Sequence, residues 1–236
     1  MGKHVEISEL TRVSASVNEW LSQRYGEKQA GEIWSATCRQ YNEYLKDLPD
    51  YGGRKNAHAL AIYGALVILA MYPQLPDHPP AEELQEFVQE IFMAPFVKLG
   101  KVINLNRRAD MRLINMAFQK VGDKDRKQIK QYPQTFCNLG EPFDKEHGAA
   151  RYSFSQCPNA EFAKKHGMLE LLPVFCNSDF WGIGCLHGTL IRQGTCGNSD
   201  RCDYCVVGSE NPMAKEYEII KDDMGFLVSR KKQNKK

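Results

Sequence analysis

Residues 151–158 read Arg-Tyr-Ser-Phe-Ser-Gln-Cys-Pro, and the pattern of the whole chain changes at this stretch. Up to Gln156 the side chains alternate with a period of two, which is typical of a β-strand. Cys157 and Pro158 come next, and proline is favoured at the first position of a helix. The stretch therefore predicts a strand that runs directly into a helix.

Short elements continue from there towards the C-terminus. We expect a short helix over residues 159–166, closed by Gly167, and a further helix over about 169–183. Residues 189–193 and 202–207 are strand-like, and the segment between them is rich in glycine and other turn residues. This half of the chain therefore predicts a small antiparallel sheet with helices.

The first half of the chain has helical periodicity instead. Apolar residues recur at three-to-four spacing within residues 10–21 and again within 33–48. Asn56 is placed to open a third helix, whose most hydrophobic run is 61–72. Four prolines within residues 73–80 mark a linker or a sharp corner, because proline cannot continue a helix. Helices followed by a small sheet indicate an α+β fold.

A division into parts follows from these patterns. We expect a helical N-terminal part over residues 1–73 and an α+β part that carries the functional site over 80–229. Residues 230–236, which are mostly basic, predict a disordered tail. A single domain overall is the alternative, since a chain of 236 residues is compatible with either arrangement.

Composition narrows the classes of function. The formal net charge is only +2, so no overall field attracts nucleic acid or an acidic membrane surface. The N-terminus has no apolar signal region, and residues 61–72 are too few to span a bilayer. Eight cysteines without a secretion signal indicate a reducing compartment, where thiols are catalytic, metal-bound or inert. We expect a cytoplasmic protein with no nucleic-acid or membrane partner.

Three short phrases carry the candidate chemistry, and they are Cys157-Pro158, Cys176-x-x-Asp179 and Cys202-Asp203-Tyr204-Cys205. If this segment is one helix, Cys176, Asp179 and His187 lie along one stripe of its surface. Together this thiol, carboxylate and imidazole could activate a nucleophile and move its proton. Cys157 at a strand-to-helix junction would lie near unpaired backbone N–H groups, which favour a thiolate. The alternative for each is a buried structural cysteine.

Cys202 and Cys205 have the spacing of a metal or redox motif, and Cys196 lies close by. On a strand, however, Cys202 and Cys205 point to opposite faces and cannot bind one ion together. A site assembled from Cys157, Cys176 and Cys202 is therefore favoured over a local zinc motif.

The segment before the third helix, Pro49-Asp50-Tyr51-Gly52-Gly53-Arg54-Lys55-Asn56, is a glycine-rich turn with two cations. Such a turn could bind a carboxylate or phosphate at the start of the helix. It lacks the glycine and lysine spacing of a nucleotide-binding loop. An ordinary turn between helices with solvated charges remains the alternative.

These phrases in this order resemble the L-2-amino-thiazoline-4-carboxylic acid hydrolase family. The resemblance covers roughly residues 45 to 208, including the turn before the third helix. Tyr204 stands where the family usually has phenylalanine. Cys185, Cys196 and Cys205 are additional to the family pattern and leave open a metal-binding or redox variant.

The resemblance implies hydrolysis of a non-peptide C–N bond in a cyclic amidine, which opens a thiazoline ring. For this reaction we expect Cys176 or Cys157 as the nucleophile and Asp179 as the proton carrier. Cys202 with Asp203 would form the opposite wall. The residues expected to bind the substrate, chiefly through its carboxylate, are Arg54, Asn56, Arg151, Arg192 and Tyr204.

We expect no cofactor, with zinc or iron on Cys157, Cys176 and Cys202 as an open option. The expected partner is a small molecule with a carboxylate, and a homo-oligomer is compatible with the sequence.

Two other classes of protein remain open. One is a non-catalytic sensor module with a cysteine-based metal site. The other is an interaction scaffold whose thiols are inert.

Overall fold

Four long helices form the N-terminal half of the protein in a computed structural model, which describes residues 3–233. They are α1 (Thr11–Asp47), α2 (Ala59–Met71), α3 (Ala81–Leu99) and α4 (Arg108–Gln128). Every residue from Ile62 to Met71 is buried, because α2 is apolar on all sides and the other elements surround it. No helix within residues 3–233 combines the length and apolar character needed to cross a bilayer.

The two predicted N-terminal helices meet at a kink within α1. Gly26 adopts φ 76° and ψ 158°, a conformation that glycine reaches without a steric penalty. The predicted start of the third helix is also corrected. Asn56 precedes α2 by three residues, and its side chain accepts a hydrogen bond from the backbone N–H of His58 at 2.7 Å.

A four-stranded antiparallel sheet follows the helices. Its strands are β1 (Cys137–Gly140), β2 (Ala150–Gln156), β3 (Gly188–Ile191) and β4 (Cys202–Gly208), in the spatial order β1-β2-β4-β3. In the register of the central pair, Phe154 lies opposite Cys202 and Tyr152 opposite Tyr204. The prediction of an α+β fold is confirmed.

Short helices connect the strands and position the cysteine and aspartate residues of the sequence motifs. They are α5 (Pro158–Lys165), α6 (Leu172–Cys176), α7 (Ser178–Cys185) and, after β4, α8 (Pro212–Lys215). Cys157 is the residue before α5, as the junction predicted from residues 151–158 requires. The segment expected to be one helix over 169–183 is helical but divided into a 3₁₀ turn (Leu169–Leu171), α6 and α7, and the last two meet at Asn177. That side chain bonds the backbone of Gly225 and Leu227.

A two-stranded hairpin ends the described chain, with β5 (Tyr217–Lys221) paired to β6 (Leu227–Lys231). The disordered tail predicted over 230–236 is therefore wrong for Arg230 and Lys231, which pair with Glu218 and Tyr217. Residues 234–236 of that tail lie outside the described residues. The boundaries of the other two predicted parts stay predictions.

The end of α3 packs so closely against the end of α7 that an added side chain there should destabilise the protein. An alanine Cβ at Gly100 would lie 1.9 Å from the carbonyl oxygen of Cys185. Because backbone must move to relieve this contact, Gly100→Ala should lower the free energy of unfolding by about 1–3 kcal/mol. Urea denaturation monitored by circular dichroism measures the change.

Gly31→Ala is the matched control. Gly31 lies inside α1, and an added Cβ meets nothing within 4 Å. The substitution should raise stability by about 0.5–1 kcal/mol, because alanine favours the helix more than glycine does. Equal stability of the Gly100 variant and the wild type would contradict the packing described here.

Candidate active site

A cavity of about 200 Å³ lies between the sheet and helices α3, α6 and α7. Five of the residues predicted for the site line this cavity, and they are Cys157, Cys176, Asp179, Cys202 and Tyr204. Aromatic side chains such as Phe92 and Phe154 supply much of the remaining wall. The structure therefore brings the three sequence phrases together around one small, largely apolar space.

Each of these residues reaches the cavity through its position in a regular element. Cys157 caps the N-terminus of α5 with an extended backbone, φ −134° and ψ 110°. Cys202 and Tyr204 lie two residues apart on β4 and so share one face of the sheet. Cys176 ends α6 and Asp179 lies in the first turn of α7, and both side chains line the cavity.

An ion pair between a buried arginine and a partly buried aspartate holds the polar side of the cavity. Arg192 is completely buried, and its Nη1 donates to Asp179 Oδ2 at 3.0 Å and to the carbonyl oxygen of Cys176 at 3.0 Å. Its Nη2 donates to the carbonyl of Leu227 at 3.2 Å. Tyr204 Oη donates to the same Asp179 oxygen at 2.7 Å. The carboxylate is therefore oriented from two sides.

Arg192 does not line the cavity, so its predicted contact with a substrate carboxylate is corrected. Its guanidinium lies behind Asp179, within 4.8 Å of the Phe180 ring centroid. Its Nε has no hydrogen-bond partner among the described residues. Arg192 therefore acts on the cavity through Asp179 and Cys176 rather than directly.

Burial changes the proton affinity of the groups around the cavity. It raises the pKa of the Cys157 thiol to about 12 and also raises the pKa of Cys176, which the charge of Arg192 opposes. Burial likewise raises the pKa of the Asp179 carboxyl, against the opposing effects of Arg192 and Tyr204. Cys157 and Cys176 are consequently thiols at neutral pH, and either needs a base in order to attack.

Cys202 is hydrogen-bonded to Cys196, a residue that the sequence analysis left outside the family pattern. The two sulfur atoms lie 3.6 Å apart, and the backbone N–H of Cys196 donates to Cys202 Sγ at 3.2 Å. The hydrogen bond with Cys202 lowers the pKa of Cys196 and raises that of Cys202. Cys196 lines a neighbouring cleft, which it shares with Cys157.

Asp203 does not line the cavity, and its predicted role in the cavity wall is corrected. Its carboxylate accepts hydrogen bonds from the backbone N–H groups of Gln193 and Gly194, at 2.8–3.1 Å. The reason is strand alternation, which turns Asp203 to the face opposite Cys202. Asp203 therefore anchors the β3–β4 loop.

Three other predicted substrate-binding residues also lie away from the cavity. Arg54 pairs with Glu9 at a separate cleft. Arg151 contacts Asp144 at 3.4 Å. Asn56 is buried, and its amide donates to the carbonyl of Tyr51 and to the Thr135 hydroxyl. Each of these side chains is bound by another residue, and the spacing of residues in the sequence does not reveal which one.

His187 is not part of the proton-carrying stripe that was predicted with Cys176 and Asp179. It follows α7 with a positive φ of 60°, is exposed, and lies 3.3 Å from the carbonyl oxygen of Gly100. The helix α7 ends at Cys185, so the helix on which the stripe depended does not extend to His187.

A histidine that was not among the predicted site residues also lines the cavity. His58 precedes α2, and its Nε2 lies 2.8 Å and 2.9 Å from the two carboxylate oxygens of Asp125. Asp125 lies on α4 and is 1% exposed. The sequence feature that could have indicated His58 is its position at the start of the most hydrophobic helix. Its partner Asp125, 67 residues further along the chain, has no comparable feature.

No group of three or more histidine, cysteine or acidic side chains within residues 3–233 is arranged to hold a metal ion. Cys157, Cys176 and Cys202, the set named in case a metal is bound, line the cavity without the geometry of a ligand set. The geometry therefore lends the metal-sensor alternative no support, and the cofactor question stays at the level of prediction.

An α+β chain with thiols and a carboxylate around one small cavity has the residue types of a hydrolytic enzyme. The family model for L-2-amino-thiazoline-4-carboxylic acid hydrolase matches residues 60–206, more than half of the chain. The chain belongs to that family, which confirms the resemblance and places the protein among hydrolases. Searches of curated proteins and of solved structures found no match.

The Cys196–Cys202 hydrogen bond predicts an order of thiol reactivity. In Cys202→Ala, Cys196 loses the hydrogen bond that most lowers its pKa, so less of it is thiolate at pH 7. Its alkylation by iodoacetamide at pH 7 should slow by about tenfold, since only the thiolate reacts. Peptide mass spectrometry of timed samples measures the rate.

Cys205→Ala is the control for this experiment, because Cys205 lies on the other face of β4. It should leave the alkylation rate of Cys196 unchanged. The difference between Cys202→Ala and wild type should also shrink as the pH is raised, because the thiolate fraction of Cys196 in the variant then approaches that in the wild type. A Cys196 rate that is insensitive to Cys202→Ala would contradict the assigned hydrogen bond.

Proposed function

We propose that this protein hydrolyses a non-peptide C–N bond of a small cyclic amidine and opens a ring of the L-2-amino-thiazoline-4-carboxylate type. One observation carries the proposal. In a member of this hydrolase family, Cys157, Cys176, Cys202 and Asp179 come from separate elements and line the same cavity. The residue types match the needs of the reaction, a nucleophile and a proton carrier.

The size and lining of the cavity support a small substrate. A volume of about 200 Å³ is below the range of about 300–1,000 Å³ typical of pockets for drug-sized ligands. The walls are aromatic and aliphatic, with polar groups confined to a few places. A single five-membered ring with short substituents suits this space, and a peptide or nucleotide does not.

In the first half of the proposed reaction, the sulfur of Cys176 bonds to the amidine carbon. Cys157 is the alternative nucleophile. The substrate enters as its amidinium, whose ring nitrogen already carries one hydrogen. The thiol proton passes to Asp179 and from there to this nitrogen, which leaves as an amine as its bond to the amidine carbon breaks, and the exocyclic nitrogen forms the C=N bond in its place. The ring is then open, and the former amidine carbon is attached to the enzyme sulfur and to the substrate sulfur.

In the second half, water adds to the same carbon and the enzyme thiolate leaves, taking up a proton. The product is an S-carbamoyl compound with a free amine, and the enzyme regains its thiol. Every atom of the added water is present in the products. No external oxidant or reductant takes part.

The surroundings of Asp179 suit a proton carrier. Burial raises the pKa of this carboxyl, so its ionised form is a stronger base than an exposed aspartate. Arg192 and Tyr204 fix the carboxylate through hydrogen bonds of 3.0 Å and 2.7 Å to Oδ2. The other oxygen, Oδ1, makes no hydrogen bond among the described residues, and we assign it to the proton transfer.

The cysteine substitutions test the nucleophile. Cys176→Ala should lower kcat for L-2-amino-thiazoline-4-carboxylate by about 10²-fold or more, because the thiol step is lost. The matched control is Cys205→Ala, since Cys205 is also buried but lies on the other face of β4. It should retain wild-type kcat. Product formation is measured by mass spectrometry, with circular dichroism to verify folding.

The same substitution at Cys157 distinguishes the two candidate nucleophiles. Intact-mass spectrometry after rapid quenching should find an adduct on the wild type and on one of the two variants only. Wild-type turnover in both folded variants would rule out covalent catalysis by either thiol.

Tyr204→Phe tests the proton carrier through pH, and phenylalanine is the residue that the resembled family usually has at this position. The hydrogen bond from Tyr204 lowers the pKa of Asp179, so its removal raises that pKa further. Because the reaction needs the ionised carboxylate, activity should be lost at a higher pH. The acid limb of log kcat/KM should move up by about 1 pH unit, as expected for a hydrogen bond to a charged group.

Asp179→Asn is the companion variant, which should remove most of the activity across the whole pH range. A Tyr204→Phe profile that coincides with the wild type, or shifts towards lower pH, would contradict the role of Asp179 as the base.

A further inference from the structure

The contact between His58 and Asp125 lies on the cavity but has no part in the steps described so far. Asp125 is 1% exposed, and the side-chain hydrogen bonds of its carboxylate among the described residues all come from the His58 ring. A buried carboxylate is strongly disfavoured unless it is paired. His58 is the group that satisfies it.

The hydrogen bond also orients the two nitrogens of the ring. Because the carboxylate accepts, the neutral imidazole carries its proton on Nε2 and keeps a lone pair on Nδ1. Nδ1 makes no hydrogen bond among the described residues. The ring packs against Phe136 and Phe154, with centroids 4.8 Å and 6.0 Å away. One nitrogen is thus held by Asp125 and the other is available to a ligand.

The backbone before His58 is held as firmly as the ring. Asn56 Oδ1 accepts from the backbone N–H of His58 at 2.7 Å, and Asn56 itself is buried. The Gln128 side chain donates to the carbonyl of Lys55 at 2.8 Å and accepts from the N–H of Ala57 at 3.3 Å. Residues near the end of α4 therefore fix both the histidine and the turn that carries it, as a preorganised site requires.

We infer that His58 is a catalytic base of this cavity and that Asp125 is its positioning residue. The inference rests on the proposed hydrolysis and assigns a group to its second half. Nδ1 accepts a proton from water as the water oxygen bonds to the amidine carbon. The resulting imidazolium, stabilised by Asp125, then gives that proton to the departing thiolate of the enzyme.

This assignment separates the roles of the two acid–base groups. Asp179 takes the thiol proton and delivers it to the ring nitrogen during ring opening. His58 acts only afterwards, when water removes the substrate from the enzyme sulfur. The two halves of the reaction can therefore be disabled independently, which makes the inference testable.

The experiment is rapid-quench intact-mass spectrometry of His58→Gln with L-2-amino-thiazoline-4-carboxylate. The adduct should form at the wild-type rate, and its hydrolysis should slow by about 10²–10⁴-fold, the usual contribution of a general base. The adduct should accumulate to near one per chain. Asp125→Asn should give the same pattern more weakly, because it permits the wrong tautomer.

His147→Gln is the matched control. His147 also contacts an aspartate, with Nδ1 2.9 Å from Asp144 Oδ2, but its side chain is 46% exposed and it does not line the cavity. Its adduct formation and hydrolysis should both equal those of the wild type. Since adduct formation itself requires a folded cavity, an adduct on His58→Gln also verifies that this variant is intact.

The outcomes separate this inference from the proposed function. Wild-type hydrolysis of the adduct in His58→Gln overturns the inference alone. Slow formation of the adduct in that variant overturns it as well, because His58 would then act earlier or only support the fold. A wild-type protein that neither hydrolyses the compound nor forms an adduct overturns the proposed function together with the inference.

Discussion

The buried guanidinium of Arg192 is the constraint on which the rest of the site depends. A cation with no exposure to water must find its partners inside the protein, and Arg192 finds them on three elements. Its hydrogen bonds reach the end of α6, the first turn of α7 and the start of β6. Its own backbone exchanges hydrogen bonds with Ser229. Helices, sheet and hairpin therefore meet at one side chain.

The same burial sets the chemistry of the cavity. Low exposure to water raises the pKa of Cys157, Cys176 and Asp179 together, because it disfavours the charged form of each group. A thiol that stays neutral requires a base close by, and a carboxyl with a raised pKa is a better base. We regard this pairing, with His58 on another wall and Asp125 bound to it, as the physical basis of the proposed hydrolysis.

Part of this site could be predicted from local sequence patterns. The alternation in residues 151–156 and the proline after Cys157 predicted the junction that carries this thiol, and the spacing along β4 placed Cys202 and Tyr204 on one face. The charged side chains were less predictable. Arg54, Arg151 and Arg192 looked equivalent in sequence, yet each is engaged by a different carboxylate and none of them lines the cavity.

The sequence by itself determined the class of fold, the strands that became β2, β3 and β4, and which residues share a face of a strand, because these follow from hydrophobic periodicity over a few neighbours. Only the tertiary structure decided which distant residues meet. His58 and Asp125 are 67 positions apart, and Cys196 meets Cys202 through a loop whose shape no periodicity encodes. Such contacts depend on how helices and sheet pack, and packing is a property of the whole chain.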